Sequence, residues 1–221
     1  ITVDINDFVV TFGSAQDWNG TETLTFTVND NQDRAVALDS MDVIVTPVND
    51  APVLEEIGYQ EMLEDTELTL SIIAEDVDGD SLIFNATSGS PLNLSVSVTG
   101  NELIMIPADD FNGQVTISVS VTDGEYDVLT SFTLNVLPVN DAPTIELPES
   151  FTFDEDGSLD EDFSDYLNDI DEDALTLTVS GNDSITVDIN DFVVTLASAQ
   201  DWNGTETLTF TVNDNQDRAV A

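Results

Sequence analysis

Oxygen donors dominate this chain. Of its 221 residues, 46 are Asp or Glu and only Arg34 and Arg218 are basic, with no Lys, His or Cys. Without imidazole or thiolate, soft metals lose their preferred ligands. Carboxylates, amides and backbone carbonyls suit a hard cation, and Ca²⁺ above all, because it accepts six to eight oxygens in flexible geometry where Mg²⁺ demands a strict octahedron. The acidic residues fall into short motifs. Asn49-Asp50, inside Pro47–Pro52, returns as Asn140-Asp141, inside Pro138–Pro143, 91 residues later. Between them stand Glu64-Asp65-Thr66, Asp76-Val77-Asp78-Gly79-Asp80, Asp110-Phe111-Asn112-Gly113 and Thr122-Asp123-Gly124. Nucleophilic and general-base chemistry lack their usual His, Cys and Lys. Paired carboxylates can hydrolyse glycosides, but a catalytic pair has no reason to recur with each repeat. The expectation is a binding or structural protein, not an enzyme.

The prolines fix their own φ and push Thr46, Ala51, Leu137 and Ala142 towards extended backbone, so each Pro-Val-Asn-Asp-Ala-Pro reads as a stiff linker. Both linkers follow period-2 alternation, at Met41, Val43 and Val45 and at Phe132, Leu134 and Val136. Such alternation is the mark of half-buried strands. Further runs lie at Leu68–Ile72, Leu82–Phe84, Val96/Val98, Leu103/Met105 and Val115–Val121, separated by turn residues. With a strand in the linker, residues 48–138 then form one complete seven-stranded immunoglobulin-like sandwich. Residues 1–47 correspond to the C-terminal half of such a repeat, and residues 139–221 to a repeat lacking its last strand. The predicted fold is all-β, with tandem sandwiches joined end to end.

A longer period is also present. Residues 1–37 and 185–221 are identical except at Phe12/Leu196 and Gly13/Ala197. Arrays that grow by duplication look like this, and the chain, which starts in mid-strand without Met, reads as a piece of one. The net charge of −44 speaks against nucleic acid and against anionic membrane as partners, since nothing would neutralise phosphates. No run reaches the length of a membrane span. Without Cys there can be no disulfides, and without Lys no Lys isopeptide crosslinks, so rigidity must come from another source.

The ordered series VNDAP, EDT, DVDGD, DFNG, VTDG, VNDAP resembles the cadherin-like calcium-binding tandem repeats of large bacterial surface proteins and adhesins. In such repeats alternate loops gather at opposite ends of the sandwich. The resemblance implies Ca²⁺ at the seams. At the first junction it assigns Asp17, the linker pair Asn49 and Asp50, and Asp76, Asp78, Asp80 and Asp123. At the second it assigns Glu64, Asp65 and Asp110 to one wall, Asn140 and Asp141 to the linker, and Asp169, Asp171, Asp173 and Asp214 to the other wall. The third repeat departs from the pattern, with Glu155-Asp156-Gly157 for EDT and Asp169-Ile170-Asp171-Glu172-Asp173 for DVDGD. Losing that Gly is expected to strain the turn while keeping its carboxylates.

Other motifs read more plainly. Asp76–Asp80 starts like an EF-hand loop, but Thr87 occupies the closing Glu position and strands flank it. Trp18, Phe111 and Trp202, each before Asn-Gly, could bind sugar, yet a ring plugging the core under a turn is favoured. The acidic run Asp154–Asp173 reads as a solvated flank. The resemblance implies an extracellular or cell-surface spacer of a bacterial adhesin or fibre, with neighbouring repeats as its partners. Two alternatives stay open: a glycan- or protein-binding module, or a filament subunit in which identical chains exchange strands.

Overall fold

The computed structural model describes residues 1–30, 32 and 36–216. Both arginines lie outside them. Two compact units divide between Leu137 and Pro138.

The first unit opens with two antiparallel hairpins. Strand β1 (Thr2–Asn6) pairs with β2 (Val9–Gly13), and β3 (Gly20–Asn29) pairs along its whole length with β4 (Val36–Val45). After the linker, short β5 (Val53–Leu54) precedes β6 (Gln60–Leu63), β7 (Leu68–Ser71), short β8 (Ala74–Glu75) and β9 (Ile83–Ser88). Then come β10 (Leu94–Thr99), β11 (Glu102–Pro107), β12 (Gly113–Thr122) and β13 (Asp127–Leu137). They form a four-stranded sheet in the order β6-β13-β12-β9 facing a three-stranded sheet β10-β11-β7, with β5 laced to β8. This is the expected sandwich with one revision at its start. The linker itself carries no strand; after the short β5, the first strand of the main sheets is β6, which runs parallel to β13 in the register Met62↔Val136. Its single inward apolar residue, Met62, leaves almost no period-2 signal.

Alternation does the rest. On β12, Val115, Ile117, Val119 and Val121 point inward and are buried, against Phe132, Leu134 and Val136 of β13 and Leu103 and Met105 of β11. Burying such a side chain is worth about 1.5–3 kcal/mol, so this one cluster outweighs any single turn. The β10–β11 hairpin closes through Gly100-Asn101, with Thr99 opposite Glu102 and Gly100 at φ +63°. That left-handed position at the turn is the one glycine accepts without strain.

The second unit repeats the plan. Its strands are β14 (Thr144–Ile145), β15 (Ser158–Asp162), β16 (Leu167–Asn168), β17 (Thr176–Ser180), β18 (Ile185–Asn190), β19 (Val193–Ser198) and β20 (Thr209–Asn213). They pair as β15-β19-β18, β17-β20 and β14-β16. Here the acidic run is more than a solvated flank. Ser158–Asp162 is a strand, and a 3-10 turn over Phe163–Tyr166, capped by Asp162, drives Phe163 into the centre of the core. Phe163 lies 4.8 Å from the ring of Phe210 and 5.7 Å from those of Phe151 and Tyr166.

Position 115 shows how the repeats differ. The inward Val115 of the middle repeat is replaced by Glu206 in the second unit, where its carboxylate accepts the backbone N–H groups of Asp183, Ser184 and Ile185 at 2.7–3.1 Å. Those donors hold the Glu206 carboxyl below its ordinary value, the Ser184 N–H contributing most. The duplicate, Glu22, meets the Ile1 backbone nitrogen at 2.8 Å, and Ile1 is the counterpart of Ile185.

Candidate metal centres

The leading end of the middle repeat brings together most of the residues named for the first junction. Asn49 donates its Nδ2–H to Asp123 Oδ2 at 2.9 Å, and the Asp50 N–H donates to Asp78 Oδ2 at 2.8 Å. Asp76 Oδ1 accepts from the N–H groups of Asp78 and Asp80, at 2.9 and 3.2 Å. Asp80 thus enters through its backbone. Asp123 Oδ1 accepts from Glu125 and Tyr126 at 2.7 Å each, which holds its carboxyl below the usual range. Asp50 moves the other way. Loss of solvent, followed by the charges of Asp17, Asp78 and Asp76, raises its carboxyl. Asp17, from the preceding hairpin segment, therefore belongs to the electrostatics of this linker.

The second unit reproduces this loop with different residues. Asn140 donates to Asp214 Oδ2 at 2.7 Å, the Asp141 N–H donates to Asp171 Oδ2 at 2.7 Å, and the Asp173 N–H donates to Asp169 Oδ1 at 3.1 Å. Oxygens of Asp169, Asp171 and Asp173 all lie within 4.8 Å of one another. At an effective dielectric near 20, two unit charges so spaced repel by about 3 kcal/mol before solvent screening. In both loops the other oxygen of the first aspartate, Asp76 Oδ2 or Asp169 Oδ2, is buried without a hydrogen-bond partner. Buried carboxylate oxygens are normally satisfied, and a bound cation would satisfy each of these. Glu172 stands where the middle repeat has Gly79, at φ +60° against +78°. The turn keeps its shape, and a non-glycine residue bears the left-handed strain, about 1–2 kcal/mol.

The trailing end of the middle repeat gathers Glu64, Asp65 and Asp110. The Asp110 N–H reaches Asp65 Oδ1 at 3.3 Å and Asn112 Nδ2 reaches buried Glu64 at 3.4 Å. Asp65 and Asp110 are both left-handed, at φ +58° and +57°. Four residues that the sequence analysis did not assign as ligands do the same in the second unit. The Asp201 N–H reaches Asp156 Oδ1 at 2.9 Å, Asn203 Nδ2 reaches Glu155 at 3.4 Å, and Asp156 and Asp201 have φ of +59° and +54°. The signal was present, since Asp201 is the 184-residue copy of Asp17 and Glu155-Asp156 aligns with Glu64-Asp65.

The aromatic residues before Asn-Gly lie over their own turns, and Phe111 also packs against the core of the middle repeat. A Cβ added at Gly20, Gly113 or Gly204 would meet the ring of Trp18, Phe111 or Trp202 at 3.3, 3.7 and 3.0 Å. Each ring is half-buried over its own turn, which leaves little face for a sugar. Strands β8 and β9 flank Asp76–Asp80, so the EF-hand arrangement is absent there.

The donor set is all oxygen, preorganised by backbone N–H groups and repeated, and it fits a hard divalent cation. Comparison with known proteins agrees with this fold. No curated protein matches the sequence. The PcdhgB3 EC1-4 structure superposes at TM-score 0.57 with 14% identity, covering 92% of this chain and 55% of that one. Protocadherin gamma B2 extracellular cadherin domains 1-5 give 0.55 and 14%, covering 100% and 48%. An endo-fucoidan hydrolase of glycoside hydrolase family 107 aligns over 100% of this chain and 36% of its own, but its TM-score of 0.37 is too low to bear on this protein. The chain thus spans from about a third to about half of these three solved chains. The bacterial Ig domain family matches twice, over residues 49–136 and 140–221. The chain belongs to the bacterial Ig domain family, as tandem repeats with a cadherin-like fold.

Proposed function

We propose that these repeats are a calcium-stiffened spacer of a long secreted or cell-surface bacterial adhesin or fibre. One observation carries the reading. The same oxygen-rich loop forms at the leading end of two repeats whose loop sequences differ, and each leaves one buried aspartate oxygen at the same position without a hydrogen bond. Bound Ca²⁺ would supply the countercharge that this chain, with two basic residues against 46 acidic ones, does not.

At the first junction Asp76, Asp78, Asp123 and the Asn49-Asp50 pair would hold the ion, with Asp17 adding charge from the preceding segment. By sequence equivalence the corresponding set at the second linker is Asp169, Asp171, Asp214, Asn140 and Asp141, with Glu64, Asp65 and Asp110 taking the trailing role. The backbone N–H groups of Asp50, Asp78 and Asp80 hold the carboxylates in place before any ion arrives. Lys and Cys crosslinks being impossible, ion binding would add to the stiffness that the prolines give a Pro-Val-Asn-Asp-Ala-Pro linker.

Small-angle scattering and calorimetric melting, with Ca²⁺ and with EGTA, test this directly. Chelation is expected to lower the melting temperature and reduce the maximum dimension's definition by loosening the linkers. Identical melting and identical scattering in both conditions would defeat the proposal.

A further inference from the structure

The outer face of the three-stranded sheet sets the middle repeat apart from its neighbours. A spacing of 91 residues aligns β7, β10 and β11 with β15, β18 and β19, which pair in the same order. Inward positions match in kind: Leu103 and Met105 are buried in the middle repeat, as Val194 and Leu196 are in the second unit. Outward positions do not. In the second unit Thr195 stands on the central strand between Asp160 and Asp188, both exposed. In the middle repeat the same row reads Thr69, Ile104 and Ser97. One pleat along, Ile106 takes the place of Ala197 and is 45% exposed. The earlier copy of this sequence agrees with the second unit, with Asp4 at the position of Ser97 and Thr11 at that of Ile104. The middle repeat alone of the three has carboxylate exchanged for hydroxyl here, and Thr for Ile.

We propose that this face is a self-association surface, on which the middle repeats of two copies of the chain pack sheet against sheet through Ile104 and Ile106. Charge selects the occupant. Copies with a net charge of −44 repel, so they touch most readily where carboxylates are absent and apolar area is offered. A basic partner would instead favour the row of Asp160 and Asp188. The opposite sheet is also uncharged along β12, at Thr116, Ser118 and Ser120, but there it presents only hydroxyls. With the same patch on both partners, the contact is two-fold and closes on itself. Its size sets its strength. Six residues along β10 and β11 and three strands across cover about 20 Å by 14 Å, or about 300 Å² per copy. That is well under the roughly 800 Å² per partner of a stable complex, so the contact is weak between single repeats and gains by avidity where repeats are multiplied.

Site-directed crosslinking reads this face apart from any other contact, and the chain has no native cysteine to interfere. Ser97 lies on the proposed face and Ser131 on the outer face of the opposite sheet, and both are exposed. The full chain carrying Ser97→Cys, treated at about 0.5 mM with a short bismaleimide, is expected to give at least five times the covalent dimer that Ser131→Cys gives. Adding Thr69→Asp and Ile104→Thr to the Ser97→Cys chain should cut that yield about tenfold. The second unit itself carries Asp and Thr at these places, so the sheet accepts both, and an unchanged circular dichroism melt checks the fold. Raising the salt to about 0.5 M, which screens the like charges, should increase the Ser97→Cys yield. Equal yields at the two positions would overturn the proposal, as would no dimer at either, a yield unmoved by the paired substitution, or one that falls as salt is added.

Discussion

Replacing Asp76 by Asn separates a ligand from a loop brace, because the two roles predict different signs. Asp76 Oδ1 accepts the N–H groups of Asp78 and Asp80, and an Asn carbonyl oxygen can accept both as well. The buried Oδ2, which has no hydrogen bond, becomes an NH₂ beside acidic neighbours. Asp76 is one of the charges that raise the Asp50 carboxyl, so its removal also relieves repulsion. In EGTA the variant should therefore melt at or above the parent. In Ca²⁺ the order should reverse. An ion held at a hundred times its dissociation constant stabilises by about 2.7 kcal/mol, and a hundredfold weaker site keeps only about 0.4 kcal/mol. The variant then loses about 2.3 kcal/mol of ion-linked stability. For a repeat of this size each kcal/mol moves the melting temperature by about 4–8 °C, so the expected loss in Ca²⁺ is about 9–18 °C. Differential scanning calorimetry in the two buffers reads both signs. Equal destabilisation in EGTA and in Ca²⁺ would show that Asp76 only braces the loop, and the reasoning would fail.

Asp141→Ala should reduce the number of calcium ions bound at saturation in titration calorimetry while leaving both units folded by circular dichroism; unchanged stoichiometry and affinity would remove Asp141 from the ligand set. Glu206→Gln should flatten the acid limb of the second unit's stability. The folded Glu206 carboxyl lies below the ordinary glutamate value of 4.5, so its contribution is present above that pH and is lost as pH falls through the folded value, and parallel curves for parent and variant below pH 4.5 would count against the clamp. Glu172→Gly should stabilise the second unit by up to about 1 kcal/mol by removing left-handed strain, and a lower melting temperature would show that the Glu172 side chain contributes more than its backbone costs. Phe163→Ala should cost about 3–5 kcal/mol in the second unit and leave the middle repeat's transition in place, so a shift of both transitions would contradict separate cores.

The sequence by itself determined the fold class, because period-2 alternation on β12 and β13 leaves a sandwich as the way to bury Val115–Val121 against Phe132–Val136. It also determined the chemistry on offer, since a chain without His, Cys or Lys presents oxygen and little else. Strand β6 was not legible: one inward methionine in four residues carries no period, and only its parallel pairing with β13 makes it a strand. Nor was the fate of Asp154–Asp173, whose acidity hides Phe163, a core residue only because Phe151, Tyr166 and Phe210 converge on it. Ligand types could be read from spacing, but the orphaned oxygens of Asp76 and Asp169 could not, since burial of one carboxylate oxygen depends on the whole loop closing over it. Glu155, Asp156, Asp201 and Asn203 form a wall because residues about 45 apart meet through left-handed aspartates. The sequence of residues 185–212 specifies strands and an apolar face, and only the tertiary structure makes that face a core, because residues 138–184 fold over it with Leu159 opposite Leu196 and Leu177 opposite Val212.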